Sequence, residues 1–477
     1  MNPLSMTKKN WSILLIILLP VSLVALKSNF NEHRTTAAAP LKALLNGRAK
    51  PMPVYGFNGD NTHGPAWSNK AFRDSAAALD FKIIRYPGGS HGEFWDWRKG
   101  WYLDDATLAH YNLTLRDQYK KTTYSPTSLN ELKLLVEQTH CAVVFDLNMV
   151  SKELDDQIEM LKSAENLGIN VKYVELGNEY NVVGSPGMQK FRSPREYGKL
   201  CTIWIKAIKE KFPEVKIAVI GGNKPNPRAK DWDSEVLDEA SAADALVAHL
   251  YPRPPKVLSD GGINFENLYN ALEDEFDEEG FNATNKEIWV TEFNVLWSTA
   301  KTPEEKTAYF NAALSWGQAL STIMMTSLAT TMPKKPGMIL DHNISNWSGY
   351  AAIETEKKTL HTLPNGMGFG TWCRAANKHN ALTQIRFQQE NKHFVKDFDV
   401  LGWQFSGETP NSHLIVNFTS EPVSIDISAL NNENASSYQL TYADKNKVVN
   451  SWQDVRREKK AITNNLIQLP AYSIATY

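Results

Sequence analysis

Cysteine is scarce: Cys141, Cys201 and Cys373 are the only three in 477 residues. Three thiols cannot build a disulfide framework. With no Cys-x-x-Cys pair, they point neither to structural zinc nor to dithiol redox chemistry and read as buried thiols. An excess of one charge is also lacking. Lys and Arg total 51 against 53 Asp and Glu, a formal net charge of −2. Phosphate neutralisation needs a basic face, so nucleic acid is excluded as the main partner. No Gly-x-Gly-x-x-Gly segment or phosphate loop follows the first strand, which argues against the nucleotide sites of a doubly wound sheet. Neither His-Glu-x-x-His nor His-x-x-Glu-His occurs, and the scattered histidines suggest no metal site; no cofactor is expected.

Long apolar runs are lacking too, with one exception at the N-terminus. Lys8 and Lys9 precede an uncharged stretch from Trp11 to Leu26. That stretch is short of the roughly 20 residues a membrane span needs and fits an export signal. No cysteine follows it for lipid attachment, and the small residues Thr35–Ala39 offer a cleavage site. Residues 1–28 are therefore expected to be a signal peptide or a retained anchor, the only membrane contact, and 29–50 a linker. The rest is exported: secreted, periplasmic or held on the outer side of a membrane. The sequence does not set the oligomeric state.

What is present is ordinary globular composition, 42% hydrophobic and 22% charged, with 14 tryptophans. From residue 52, short apolar runs alternate with helical periodicity. The runs predict strands at Met52–Phe57, Phe81–Tyr86, Ala142–Leu147, Val171–Leu176, Val215–Ile220, Ala245–Leu250, Glu287–Thr291 and Gly337–Leu340. Ser193-Pro194-Arg195-Glu196 and Thr302-Pro303-Glu304-Glu305 have the form of capping boxes with proline at the first helical position. Eight strand–helix units make an α/β chain with a (β/α)₈ barrel over 51–376. After that the helical period disappears. Leu382–Phe387, His393–Phe398, Leu414–Phe418, Val423–Ile427, Tyr438–Tyr442 and Leu466–Leu469 predict an antiparallel β-sandwich over 377–477.

Barrel chemistry sits at the C-terminal ends of the strands. Strand 4 ends in Val174-Glu175-Leu176-Gly177-Asn178-Glu179, and strand 7 in Trp289-Val290-Thr291-Glu292-Phe293-Asn294. Each leaves a carboxylate just past an apolar strand, three βα units apart, so Glu179 and Glu292 can share one pocket. Two carboxylates in one pocket suit glycoside hydrolysis: one acid protonates the leaving oxygen while the other carboxylate attacks the anomeric carbon. The dipeptide Asn-Glu alone carries nothing, since it occurs four times; only at Asn178 does it follow an apolar strand and a glycine. The aromatics fit a carbohydrate. Trp95, Trp97, Trp101 and Tyr102 crowd the loop after strand 2, Trp297 follows strand 7 and Trp347 follows strand 8; about half are expected to face a cleft.

These motifs resemble glycoside hydrolase clan A, the retaining (β/α)₈ hydrolases. Ile83-Ile84-Arg85-Tyr86-Pro87-Gly88-Gly89 is similar to the Arg-x-Pro-Gly-Gly segment of the α-L-arabinofuranosidase family, and more loosely to the Arg-x-Gly-Gly of the heparanase and β-glucuronidase family. Ala248-His249-Leu250-Tyr251 is similar to their His-x-Tyr. The resemblance covers about residues 52–376 and implies Glu179 as acid/base, Glu292 as nucleophile, Asn178 on the sugar 2-hydroxyl, Arg85 holding Glu292 ionised and Tyr251 donating to it. His249 reads equally as a hydrogen-bonded wall residue. Two rivals remain: a non-catalytic carbohydrate-binding barrel, and a transglycosylase using the same residues. The glycan is neutral or anionic. An anionic one would meet Lys224, Arg228, Arg253, Lys256, Lys334 and Lys335 in the loops.

Overall fold

In the computed structural model, eight parallel strands close into a barrel: β1 (Val54–Asn58), β2 (Ile83–Tyr86), β3 (Ala142–Asp146), β4 (Val171–Glu175), β5 (Lys216–Ile220), β6 (Ala245–Leu250), β7 (Glu287–Phe293) and β8 (Pro336–Asp341). The structure describes residues 39–477 except 60–61, 63, 116–119, 121–124, 222–227, 229–230, 260, 277–284, 332–335, 346–348, 356–358, 392, 408–409 and 431–434. The export segment and residues 29–38 of the linker therefore lie outside the described residues.

Each barrel strand matches its sequence expectation to within two residues at either end, because the runs are largely apolar and, apart from Lys172 and Tyr173 in β4 and the opening residues of several others, buried on both faces. Strand periodicity decides what fills the barrel. Ile83, Val144, Val247, Trp289, Met338 and Leu340 face inward and pack as one apolar plug. Two residues further along, the same parity puts Arg85, Asp146, His249 and Thr291 into the layer above, and Tyr173 is followed likewise by Glu175. The polar layer thus grows out of the strands themselves.

The helix Trp316–Thr331, between β7 and β8, is buried along nearly its whole length. Its first turn is completed by the sandwich: Trp316 N donates to Lys447 O and Gly317 N to Lys445 O, while the Trp316 indole donates to Tyr472 O. These carbonyls satisfy helix N–H groups that have no partner within the helix. The Thr302 capping box forms as expected. At Ser193 only half of it does, because the Glu196 carboxylate reaches back one residue further, to Arg192 N.

The C-terminal region is a nine-stranded, mostly antiparallel sheet. It curls over its own core of Ala43, Ile385, Ile415, Ile425, Leu440 and Ile467, among others. The Tyr438 hydroxyl closes the curl by donating to Gln468 O, from near one edge of the sheet to the other edge strand.

Three expectations are corrected here. Leu41–Pro51, assigned to the linker, is an interior strand of the sheet, paired with His379–Gln388 and Val423–Asp426. Only Ala43 of its side chains is buried, so the backbone pairs without the apolar alternation that reveals a strand. The stretch His393–Phe398 makes only a single bridge at Phe394; the strand is Val400–Gly407. Arg456–Ala461 and Ser473–Thr476 were not expected at all. The first is an edge strand whose charges hide its pattern while guarding the edge against pairing.

Candidate active site

Three backbone devices build the barrel mouth. After β2 the chain turns through Gly88 and Gly89, both with positive φ (78° and 75°). A Cβ on Gly88 would come within 1.9 Å of Asn58 Oδ1, so only glycine lets the turn cover Asn58. After β4, Gly177 (φ 89°) and then Glu179 (φ 50°) take left-handed conformations. For a glutamate this costs on the order of 1–3 kcal/mol, and it places the carboxylate within reach of His249. The third device is in β7. There Val290 pairs with Ala248 but Glu292 with His249, so Thr291 is an extra residue. In a regular strand Thr291 and Glu292 would face opposite sides; the bulge lets both enter the site.

Glu292 Oε1 accepts from Arg85 Nη1 (2.7 Å) and Asn58 Nδ2 (3.1 Å), and Oε2 from the Tyr251 hydroxyl (2.6 Å). Oε1 is thereby saturated, whereas Oε2 keeps a lone pair for other use. His249 Nδ1 lies 2.9 Å from Glu179 Oε1 and 3.7 Å from Glu292 Oε2, and His342 Nδ1 lies 3.6 Å from Glu292 Oε2. Polar atoms of Glu179, His249 and Glu292 all lie within 4.8 Å of one another.

Arg85, fully buried, is the hub. Its Nε and Nη2 form a two-pronged pair with Glu175 (2.7 and 2.9 Å), Nη2 also donates to Asn178 Oδ1 (2.9 Å), and Asp146 Oδ2 lies 3.2 Å away. Burial opposes the guanidinium charge, but Asp146, Glu175 and Glu292 outweigh it and hold the proton more tightly than usual. Asp146 pays for the crowding. Burial, opposed by Arg85 and reinforced by Glu175 and Glu292, pushes its carboxyl up to about 8. Burial also works against Glu292 ionising, yet His249, His342, Arg85 and the Tyr251 hydroxyl together hold it down at about 2. Burial and the Glu292 charge keep Tyr251 protonated, as its donated bond requires.

Proton positions follow from bond counting. The Thr291 hydroxyl has one hydrogen and gives it to Glu175 Oε1 (3.2 Å). His249 Nε2, 3.1 Å from Thr291 Oγ1, must then be the donor to that hydroxyl, which leaves Nδ1 to share a proton with Glu179. Burial lowers the proton affinity of His249, but Glu292 and Glu179 more than restore it. Thr291→Val removes both bonds and should lower kcat by about 10–100-fold with KM little changed, as expected for a lost bond worth about 1–3 kcal/mol that orients the reacting pair. Steady-state kinetics on any substrate turned over would show it.

The structure brings together Arg85, Asn178, Glu179, His249, Tyr251 and Glu292. Asn58, Asp146, Glu175, Thr291 and His342 belong to the same network and were not anticipated. Inward parity from Val144, Tyr173 and Trp289 was the available signal for the middle three.

The tryptophans are corrected. Trp95, Trp97 and Trp297 are 3%, 8% and 3% exposed. Trp95 donates to the Tyr86 hydroxyl, Trp97 lies under Arg98 and bonds Asp156, and Trp297 packs near Tyr309. They fasten loops to the barrel. Trp347 lies outside the described residues. The aromatic groups beside the site are instead Tyr251, His342 and Tyr350, mutually edge-on. The basic set is also reduced. Arg228 is tied to Tyr180 O and Phe191 O and braces the β4 loop, while Arg253 and Lys256 are exposed. Lys224, Lys334 and Lys335 lie outside the described residues.

Glu179, His249 and Glu292 are also spaced as a cation site would be. Glu292 already takes three donors, however, two of its four lone pairs being held by Arg85 and Asn58, a shell suited to a bare carboxylate rather than a metal ligand.

A model of the glycosyl hydrolase catalytic core family matches residues 127–351, spanning β3 through β8 and both glutamates. Over that span the chain is similar to glycosyl hydrolase catalytic cores. No curated protein matches it by sequence. Among solved structures, the barrel and its sheet are similar to AbfB, a family 51 α-L-arabinofuranosidase from Bifidobacterium longum (TM-score 0.67, 16% identity, covering 92% of this chain and 99% of that one). A thermostable family 51 α-L-arabinofuranosidase from Thermotoga petrophila is similar to the same degree (0.67, 16%, 91% and 99%). A family 30 subfamily 8 xylanase, Xyn30A, from Clostridium acetobutylicum is more distant (0.52, 12%, 91% and 98%). The resemblance to clan A carried by the strand-end motifs stands, and the barrel with a C-terminal sandwich is their shared architecture.

Proposed function

We propose that the protein is a retaining glycoside hydrolase in which Glu292 is the nucleophile and Glu179 the acid/base. The observation that carries this is the approach of the two carboxylates to within 4.8 Å, bridged by His249. Retaining enzymes hold the pair about 5–5.5 Å apart, whereas inversion needs about 6.5–9.5 Å to admit a water. Glu292 Oε2 attacks the anomeric carbon while Glu179 gives its proton to the leaving oxygen. Glu179 then takes a proton from water, which releases the sugar from Glu292. Arg85, Asn58 and Tyr251 keep Glu292 anionic and aimed, and Asn178, gripped by Arg85, presents its amide to the sugar 2-hydroxyl.

The substrate proposed is an oligosaccharide or polysaccharide met outside the cytoplasm, given the Lys8–Leu26 export pattern. Arabinofuranosides and xylans are the first to try, since the structurally similar enzymes are named for them. A screen of arylglycosides and plant polysaccharides, with the first-formed anomer read by proton NMR, tests the reading. Product of retained configuration is expected; inverted product would overturn the role of Glu292. A sugar hydroxyl in place of water would make the same chemistry transglycosylation.

A further inference from the structure

We infer that the junction between barrel and sandwich carries a second glycan site, separate from the catalytic one and selective for carboxylate- or sulfate-bearing chains. A groove of about 320 Å³ lies there, lined by Arg374, Trp452, Arg457, Gln439, Thr441 and the stacked pair His413–Tyr477. Its position excludes a catalytic subsite. The helix Pro364–Ala376 follows β8 and runs back along the barrel, and Arg374 in its last turn donates to Ala78 O, just before β2 begins. The groove therefore opens near the N-terminal rim of the barrel, whereas chemistry occupies the opposite rim.

Its electrostatics are those of a site waiting for an anion. Arg374 and Arg457 approach the same indole, with guanidinium carbons 5.7 and 4.9 Å from the Trp452 ring centre. An aromatic face fixes a guanidinium without neutralising it, as a carboxylate would. Among the described residues neither arginine forms an ion pair, and burial, with Arg457 adding to it, weakens Arg374's hold on its proton. Asp80 is felt by Arg374 without pairing with it. The edge strand Arg456–Ala461 extends the field. Its alternation puts Arg457 and Lys459 on one face, opposite Thr441 and Gln439 of the groove. Glu458, one position out of phase, spends its charge on Lys460 and the Tyr442 hydroxyl.

Two planar donors with free N–H groups match a carboxylate or sulfate, and the flanking Gln439 and Thr441 suit hydroxyls. That the anion belongs to a sugar chain rests on the glycosidase reading. Tethering an acidic polymer at the far rim would raise its concentration at the mouth of the same barrel.

The test is affinity electrophoresis of the full chain through gels containing polygalacturonate, a sulfated galactan, neutral xylan or duplex DNA. Retardation by the acidic glycans is expected, weakening roughly tenfold or more in the Arg374→Gln/Arg457→Gln double variant. The double variant should leave kcat/KM on a small arylglycoside unchanged, which also certifies its fold. Acidic-glycan retardation identical in wild type and double variant overturns the site, as does DNA retardation equal to that by uronate and lost with the same arginines. Hydrolysis without acidic-glycan binding sinks this site alone. Arginine-dependent glycan binding with no hydrolysis of any glycoside supports the groove and sinks the glycosidase reading instead.

Discussion

Glu292→Ala should reduce turnover by about 10⁴–10⁶-fold on every substrate, the range expected when an enzyme loses its nucleophile. Added azide should restore turnover with an activated glycoside and give the glycosyl azide of opposite anomeric configuration, because the small anion fills the space of the lost carboxylate. Glu179→Ala should behave differently. It should still form the glycosyl-enzyme from substrates whose leaving group needs no proton, and azide should then release product with configuration retained. The contrast follows from the site. Glu292 is locked by Arg85, Asn58 and Tyr251 and held ionised at about 2, whereas the Glu179 carboxylate is held by His249 and is partly open to solvent. Identical behaviour of the two variants would remove the assignment of roles.

Arg85→Met should cost about 3–5 kcal/mol of stability at neutral pH, measured as a shift in urea midpoint, besides abolishing activity. The methionine fills much of the volume but leaves Glu175 and Glu292 buried without their cation. The pH dependence has a defined sign. The Glu292 carboxyl is lower in the folded protein, about 2 against an ordinary value near 4.5. Its contribution is therefore present above pH 4.5 and fades as pH falls toward 2. The gap between wild type and variant should accordingly narrow on acidification. Asp146 works in the other direction. Raised to about 8, it favours the fold below its ordinary value and loses that contribution as pH rises toward 8. Asp146→Asn should therefore remove a loss of stability that the wild type suffers between pH 4 and 8. A gap that widens in acid would mean that Arg85 does not act through these carboxylates.

The barrel was legible because its strands are largely buried on both faces and so appear as largely apolar runs. Ala245–Leu250 and Leu466–Leu469 were even bounded correctly. The sandwich was less legible wherever a strand earns its place by backbone pairing. Leu41–Pro51 and Arg456–Ala461 bury almost no side chain, so nothing in their alternation marks them. In the site, Arg85, Glu179 and Glu292 were readable as polar residues ending apolar strands. Asn58 and His342 were not, since each lies at a strand end whose neighbours look like any loop, and they meet, 2.8 Å apart, only because barrel closure pairs β8 with β1. The tryptophans misled for a plain reason. A large aromatic near a cleft has two uses, and packing a long loop onto the barrel claimed Trp95, Trp97 and Trp297.

The most direct test is to incubate the protein with the 2-deoxy-2-fluoro activated derivative of whichever sugar the screen identifies, then weigh it intact and map its peptides. One glycosyl group should be found per chain, esterified to Glu292 and absent from Glu292→Ala. An adduct on Glu179 or Glu175, or hydrolysis that proceeds with inversion and without any adduct, would contradict the assignment of Glu292 as nucleophile.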